Sequence, residues 1–309
     1  MNVITITLNP AIDLQVSEDA IRSSDPNAYA PIARESGGKG VNISRALKGF
    51  SKDSLCVIAV GEDNADEYLS PLESFGLSLL VERVAGAVRI NLHADTEEGD
   101  LVLRGQGACV DNSALLRIKN RVLPVISDGD FVCLCGKLPP ECDKELVIDM
   151  LLDIKARGAR IVLDSASFSL EDIAKARPYM IKPNGEELAL LSGSGNIGKS
   201  EATVMAKALC ASVAENVLVT LGADGAIYAS REGIYEISAP KIKPKSTTGA
   251  GDSTIAGYIY ALSEGRGLAD ILRTATAFGS AACLSDGTQP PKKEDVDRLM
   301  NEITVRQIP

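Results

Sequence analysis

The chain has 309 residues, 45% hydrophobic and 24% charged, with 42 acidic against 32 basic side chains and a formal net charge of −10. That length can bury a large core as one large domain or two ordinary ones, and the acidity excludes a general nucleic-acid or membrane-binding surface, since either needs a basic face. The single histidine, His93, excludes multi-histidine zinc sites and argues against the usual hydrolase triads, which leaves Asp, Lys and Arg to carry chemistry.

The first residues alternate as a strand near 3–8 and lack a basic leader followed by an apolar signal core, so export is not expected. No apolar run approaches the roughly 18 residues needed to span a bilayer. Further strands are expected near 55–61, 131–135, 160–164, 178–182 and 217–221, mostly continuous apolar runs suited to a sheet covered on both faces. Helical periodicity covers about 41–49, 62–75, 111–123, 141–157, 184–192, 199–214, 252–264, 268–284 and 292–302. The alternation predicts a layered α/β fold. Seven cysteines at irregular spacing fit reduced thiols and a cytoplasmic location better than a disulfide framework. Cys133 and Cys135, two apart in one strand, are expected on one face as small apolar filler.

Two stretches break the rhythm. Residues 12–36 mix polar and apolar positions around Pro26 and Pro31, and 87–104 read as two extended segments around the turn-like 96–100. Together they are expected to form a small separate β-sheet, a lid inserted into a main domain made of 1–11, 37–86 and 105–309. A lid that excludes water suits chemistry in which a reactive phosphoryl group must escape hydrolysis.

Three glycine-rich segments invite a ligand. Gly193 to Ser200 satisfies G-x-x-x-x-G-K-S, but a phosphate loop needs a buried strand before it, and the upstream Asn184-Gly-Glu-Glu-Leu-Ala-Leu-Leu191 reads as an Asn-capped helix. We therefore read this segment as a helix-to-helix loop. Thr247-Thr-Gly249-Ala250-Gly251-Asp252 opens an apolar-periodic stretch, so a glycine turn, a helix N-terminus and a carboxylate coincide in a layout for phosphoryl transfer. Taken alone it also fits a capped surface helix. Gly37-Gly38-Lys39-Gly40-Val41-Asn42 places a cation between glycines, where backbone can approach a ligand closely; a turn with a solvated lysine is the alternative.

Read together, Asp13 in Asn9-Pro-Ala-Ile-Asp13, the 37–42 turn, Lys182-Pro-Asn184-Gly-Glu-Glu187, Thr220-Leu-Gly222-Ala223-Asp-Gly225 and the 247–252 segment resemble, in order and nearly end to end, the PfkB (ribokinase-like) carbohydrate kinases. The nearest likeness is to the 1-phosphofructokinases and tagatose-6-phosphate kinases. The resemblance implies a doubly covered, mainly parallel sheet with a small β lid. It further implies that Asp252 is the general base, with Gly249, Ala250 and Gly251 forming an anion hole. Asp13, Gly37, Gly38 and Asn42 then meet the sugar, and Lys39, Arg89 and Arg104 are candidates for its phosphate. Lys182, Asn184, Thr220, Gly222, Ala223, Gly225 and Gly251 fall to ATP, and Asn184 and Glu187 to Mg2+, often through water. An aspartate beside a helix N-terminus is expected to be a weak base, with position outweighing strength.

Three departures stand out. Gly136-Lys137-Leu138-Pro139 replaces the family's Gly-Ser-Leu-Pro, and Asp164-Ser-Ala-Ser-Phe168 replaces a small Ser-Gly element. Lys137 is expected to add a cation near the sugar phosphate or else to point into solvent. His93 stands where 1-phosphofructokinases often carry lysine. The reading is an ATP- and Mg2+-dependent kinase of a ketohexose monophosphate, D-fructose 1-phosphate first and tagatose 6-phosphate second, with a noncatalytic sugar-phosphate sensor as the other class. Exposed lid edges predict a homodimer.

Overall fold

The computed structural model describes residues 1–16, 31–96, 99–193, 195 and 197–309. In chain order the strands are β1 (Val3–Thr7), β2 (Ala11–Val16), β3 (Pro31–Gly37), β4 (Leu55–Gly61), β5 (Ser78–Val84), β6 (Arg89–Thr96), β7 (Gly99–Arg104), β8 (Phe131–Cys135), β9 (Arg160–Asp164), β10 (Met180–Ile181), β11 (Asn216–Thr220), β12 (Ala226–Ser230), β13 (Gly233–Ile237) and β14 (Val305–Ile308). The helices are α1 (Lys39–Gly49), α2 (Ala65–Ser74), α3 (Asn112–Val122), α4 (Lys144–Ala156), α5 (Leu170–Ala176), α6 (Gly185–Ser192), α7 (Lys199–Ser212), α8 (Ala250–Ser263), α9 (Leu268–Ala282) and α10 (Lys293–Met300).

One sheet of ten strands runs β14-β13-β12-β11-β10-β9-β8-β1-β4-β5. From β5 to β11 every pairing is parallel, and β12, β13 and β14 add antiparallel at one edge. Parallel strands joined by helices must be covered on both faces, and β1 and β8 are buried at every position. Alternation along β8 divides the two layers. Val132 and Leu134 pack with Ile118 of α3 and Leu151 of α4, whereas Phe131, Cys133 and Cys135 pack with Leu47 of α1, Ile255 of α8 and Phe278 of α9. The two cysteines are thus apolar filler on one face, as their spacing predicts.

Strand β1 lies between β8 and β4, so the chain order runs outward in both directions from this point. In such a sheet the loops leaving the carboxyl ends diverge and open a crevice there. The carboxyl ends of β1, β8, β9, β10 and β11 deliver Leu8 to Pro10, Gly136, Asp164, Lys182 and Thr220 to this edge.

A second sheet of four strands has the order β3-β2-β6-β7. Its register sets Asp13 beside both Glu35 and Asn91, and Asn91 opposite Arg104. With a side-chain period of two, Asp13, Glu35, Arg89, Asn91, His93 and Arg104 share one face. Leu14, Val16, Leu92, Ala94 and Leu101 form an apolar cluster on the other. This sheet is fastened to the larger one through Glu35, whose carboxylate accepts from Thr288 N (2.7 Å), Thr288 Oγ1 (2.5 Å) and Gln289 Nε2. Arg45, buried in α1, holds the same loop through Thr288 Oγ1 at 3.2 Å.

Several elements differ from the sequence expectation. The strand expected at 178–182 is cut to Met180–Ile181, between Pro178 and Pro183. Strands β5, β13 and β14 were not expected: each is only partly buried, so the apolar signal is diluted, by Glu82 and Arg83 in β5. Helix α5 was also not expected, although Ser169-Leu-Glu-Asp172 spells out its reciprocal capping box. The G-x-x-x-x-G-K-S segment follows α6 rather than a strand, and Lys199 pairs with Glu236 at 2.9 Å, so the helix-to-helix reading holds for its described residues. Pro26, Glu97, Glu98, Ser194 and Asn196 lie outside the described residues.

Candidate active site

Gly249 takes the left-handed conformation (φ 79°) as N-cap of α8, and no side chain accepts from the first-turn amides. Ala250 N turns to Thr247 O at 3.3 Å, and the remaining N–H groups with the positive helix end are available to an anion. A Cβ on Gly251 would lie 2.8 Å from Lys182 Nζ, so this glycine leaves room for an ammonium against the turn. Asp252, 5% exposed, projects from the same turn, and Asn42 Nδ2 of α1 donates to its Oδ2 at 2.8 Å. Burial pushes the Asp252 carboxyl up to about 6, with Asp164 adding to the rise and Lys39, Asn42 and Lys182 opposing it. Burial thus acts on this carboxyl in the direction opposite to the one expected from a helix end, while Asn42 fixes its position.

Two lysines converge beside it. Lys39, the first residue of α1, sets its Nζ 3.2 Å from Asp164 Oδ2 and 3.4 Å from Glu187 Oε1. Lys182 Nζ lies 3.6 Å from the same Asp164 oxygen. Burial alone would lower the Lys39 pKa, but Asp164, Asp252 and Glu187 together push it above the ordinary lysine value, so the ammonium stays charged. Lys182 is 3% exposed, a buried ammonium at the end of β10. Asp164, equally buried, is a member of this cluster that sequence reasoning passed over as a site residue. Its signal was available: a carboxylate closing the apolar run of β9, at the sheet edge where ligands collect. A cavity of about 350 Å³ borders the cluster, lined by Asp164, Lys182, Glu187, Phe168 and Leu190 among others.

Asn184 and Glu187 form a reciprocal capping box at the start of α6: Asn184 Oδ1 accepts from Glu187 N (2.7 Å), and Glu187 Oε2 from Asn184 N (3.0 Å). The sequence's Asn cap is present, and it fixes where the two oxygens point. Thr220 bridges to Asn184 at the end of β11 and begins the turn into antiparallel β12. Gly222 (φ 57°) and Gly225 (φ 91°) need the left-handed region, and a side chain on Gly225 would collide with Ile237 O. Ala223 is exposed at the tip of this turn.

On the small sheet, Asp13 Oδ1 accepts from Asn91 Nδ2 at 2.8 Å and lies 3.4 Å from His93 Nε2. A Cβ on Gly37 would overlap Asp13 Oδ2, and one on Gly38 (φ 137°) would press on Thr7, so the glycine pair lets this strand end close over β1. The buried Oδ1 atoms of Asn42 and Asn91 have no protein partner among the described residues. Buried orphan acceptors are costly, and these two lie beside Asp252 and Asp13, to which the same side chains donate. Arg89 donates to the carbonyls of Asn9 (3.3 Å) and Pro10 (3.4 Å), which pins it to the turn after β1. Arg104 and Lys137 are exposed and make no ion pair among the described residues. Gly136, just before Lys137, approaches the Lys39 side chain. Asn91 and His93 were not assigned as binding residues from sequence; their alternation with Arg89 on β6 was the usable sign.

A buried carboxylate with a raised pKa, an uncapped helix N-terminus and two fixed ammonium groups define a site for moving a phosphoryl group onto a hydroxyl. The chain belongs to the pfkB family of carbohydrate kinases, whose model it matches over residues 3–295. It is 29% identical to the 1-phosphofructokinase of Haemophilus influenzae, with 99% of each chain covered. It is 30% identical to that of Rhodobacter capsulatus, covering 100% of this chain and 99% of the relative. Among solved structures, phosphofructokinase-2 from Escherichia coli in complex with substrates and products superimposes with a TM-score of 0.88 at 24% identity, covering 97% of this chain and 99% of the other. At that identity the likeness establishes the fold: a mostly parallel, helix-flanked sheet with a smaller separate sheet.

Proposed function

We propose that this carbohydrate kinase transfers the γ-phosphoryl group of ATP to the 6-hydroxyl of D-fructose 1-phosphate. The observation that carries the reading is the Asp252 carboxylate, buried on the first turn of α8 and steered by Asn42. The sugar oxygen attacks the γ-phosphorus and forms the new P–O bond, the bond to the bridging oxygen breaks to release ADP, and the hydroxyl proton passes to Asp252. The amides of Gly249 and Gly251, joined by that of Ala250 once it leaves Thr247 O, face the charge that develops on the equatorial oxygens. Lys39 flanks that charge from the start of α1 and Lys182 from the carboxyl end of β10. The turn from Thr220 through Gly222, Ala223 and Gly225 carries the nucleotide.

Magnesium fits this donor set through water. Both Glu187 oxygens are already engaged, by Asn184 N and by Lys39, and among the described residues no cluster of three acidic, Cys or His side chains offers a ready metal cage. Mg2+ bound chiefly to phosphate and water needs no such cage, and it would neutralise phosphate charge during transfer. Asn184 and Glu187 would hold its water shell.

Asp13, Asn91, Asn42 and the backbone of Gly37 and Gly38 receive the sugar, and the four strands β2, β3, β6 and β7 act as its lid. Arg89, Arg104 and Lys137 are the cations for the 1-phosphate. The names of the curated relatives favour fructose 1-phosphate over tagatose 6-phosphate. The lid's apolar face, with Ile90 of β6 43% and Leu103 of the edge strand β7 56% exposed, suits a homodimer, to be checked by light scattering on the eluting protein. The deciding assay is ATP- and Mg2+-dependent turnover on fructose 1-phosphate, tagatose 6-phosphate, fructose 6-phosphate, fructose and ribose, with Asp252→Asn as control. Preference for another sugar moves the specificity, and silence on all five despite tight sugar-phosphate binding overturns the activity in favour of a sensor.

A further inference from the structure

The reading above uses Lys39 and Lys182 but leaves Asp164 without a task. Its side chain is 2% exposed, and a single oxygen, Oδ2, faces both ammonium groups, at 3.2 Å from Lys39 and 3.6 Å from Lys182. A carboxylate this deep costs several kcal/mol to desolvate, so its charge must be repaid by its neighbours. The geometry also ties it to the neighbouring strand: Gly136 N donates to Asp164 O at 3.0 Å, which fixes the strand end from which the side chain leaves. Neither lysine reaches its place by packing alone. Lys39 starts a helix and has four flexible carbons, and Lys182 rests against the Gly251 backbone.

We propose that Asp164 is a positioning residue for phosphoryl transfer, a buried anchor that seats the Lys39 and Lys182 ammonium groups beside the first turn of α8. The proposal rests on the kinase reading of Asp252 and the α8 turn. In the resting site, Asp164 keeps two cations from collapsing onto Asp252, whose own neighbour is the neutral Asn42. When phosphate oxygens arrive they meet ammonium groups already aimed, so less reorganisation is left for the transition state. The groups facing Asp252 are Lys39 and Asn42 from α1, Asp164 at the end of β9 and Lys182 after β10. Removing the Asp164 charge therefore also makes Asp252 a stronger acid.

The test compares Asp164→Asn, which keeps the shape, and Asp164→Ser, which keeps an acceptor without the charge, with the wild-type enzyme. Misplaced ammonium groups predict a kcat lower by about 10- to 100-fold with a KM for ATP no higher than wild type. The acid limb of the kcat profile moves to lower pH. In the Lys39→Met background the further loss from Asp164→Asn is smaller than in the wild type, because the two act as one unit. A kcat within about threefold of wild type in a folded variant overturns the proposal. So does a loss in which the KM for ATP rises in parallel and the acid limb stays in place, the signature of general disruption. Asp252→Asn run alongside separates the two readings: if it keeps turnover, the assignment of the base fails, whatever Asp164 does.

Discussion

At the scale of single residues, Asp252 is the pivot. A positioned general base contributes about 10²- to 10⁴-fold, so Asp252→Asn is expected to lose kcat in that range while still binding ATP and sugar phosphate. The sign of the pH effect follows from its raised pKa of about 6. The base works when ionised, so activity is full above that value and falls about tenfold per pH unit below it. An acid limb near the ordinary aspartate value of about 4 would sink this assignment. Gly37 allows a second test on the sugar side. Its missing side chain leaves the space that Asp13 occupies. Gly37→Ala is expected to raise the KM for the sugar phosphate by about tenfold or more and to leave the KM for ATP nearly unchanged.

At the scale of elements, short helices at the sheet edge depend on their caps. Helix α5 has only two turns, and its capping-box carboxylate, Asp172, also pairs with Lys144 of α4 at 2.7 Å. Burial would raise the Asp172 pKa, but hydrogen bonds from Lys144 and Ser169 outweigh it and hold it down at about 2. A depressed folded-state pKa gives stability that is present above the unfolded value of about 3.9 and is lost as pH falls through about 2. With Lys144 partly solvated, we expect Asp172→Asn to cost on the order of 1–2 kcal/mol at neutral pH. Urea unfolding at pH 7 and near pH 2 checks this: the gap between variant and wild type should close at the acid end.

At the scale of the whole molecule, Ser36, Gly37 and Arg89 tie the small sheet to Tyr68 and to the turn after β1, and the Glu35 clasp on Thr288 and Gln289 spans about 250 residues of chain. We expect Glu35→Ala to loosen the small sheet over the site. Water then reaches the γ-phosphate, and ATP hydrolysis without sugar rises relative to kinase turnover. Hydrogen exchange should quicken in β3 and in the loop at 287–289. Unchanged exchange and an unchanged hydrolysis ratio would show that the clasp does not hold the sheet.

The layered fold and most of the site were legible in the sequence, because local rules write both. Continuous apolar runs such as Phe131–Cys135 announce doubly covered strands, and Gly249 to Asp252 announces a glycine turn feeding a helix. The Asn184–Glu187 box, the turn at 220–225 and the false phosphate loop at 193–200 were readable for the same reason: each depends on residues a few positions apart. Half-buried edge strands were not legible, since their pattern is set by what they pack against. Nor was the charge balance of the site. Asp164 and Lys39 are 125 residues apart in the chain, and Asn42 and Asp252 are 210 apart. Only the folded sheet brings those groups into a space dry enough to lift Asp252 to about 6. The sequence by itself determined which chemical groups were present and which turns would present them. The tertiary structure decided their burial and their neighbours, and so their strength, because desolvation and Coulomb interactions depend on distances that sequence spacing does not set.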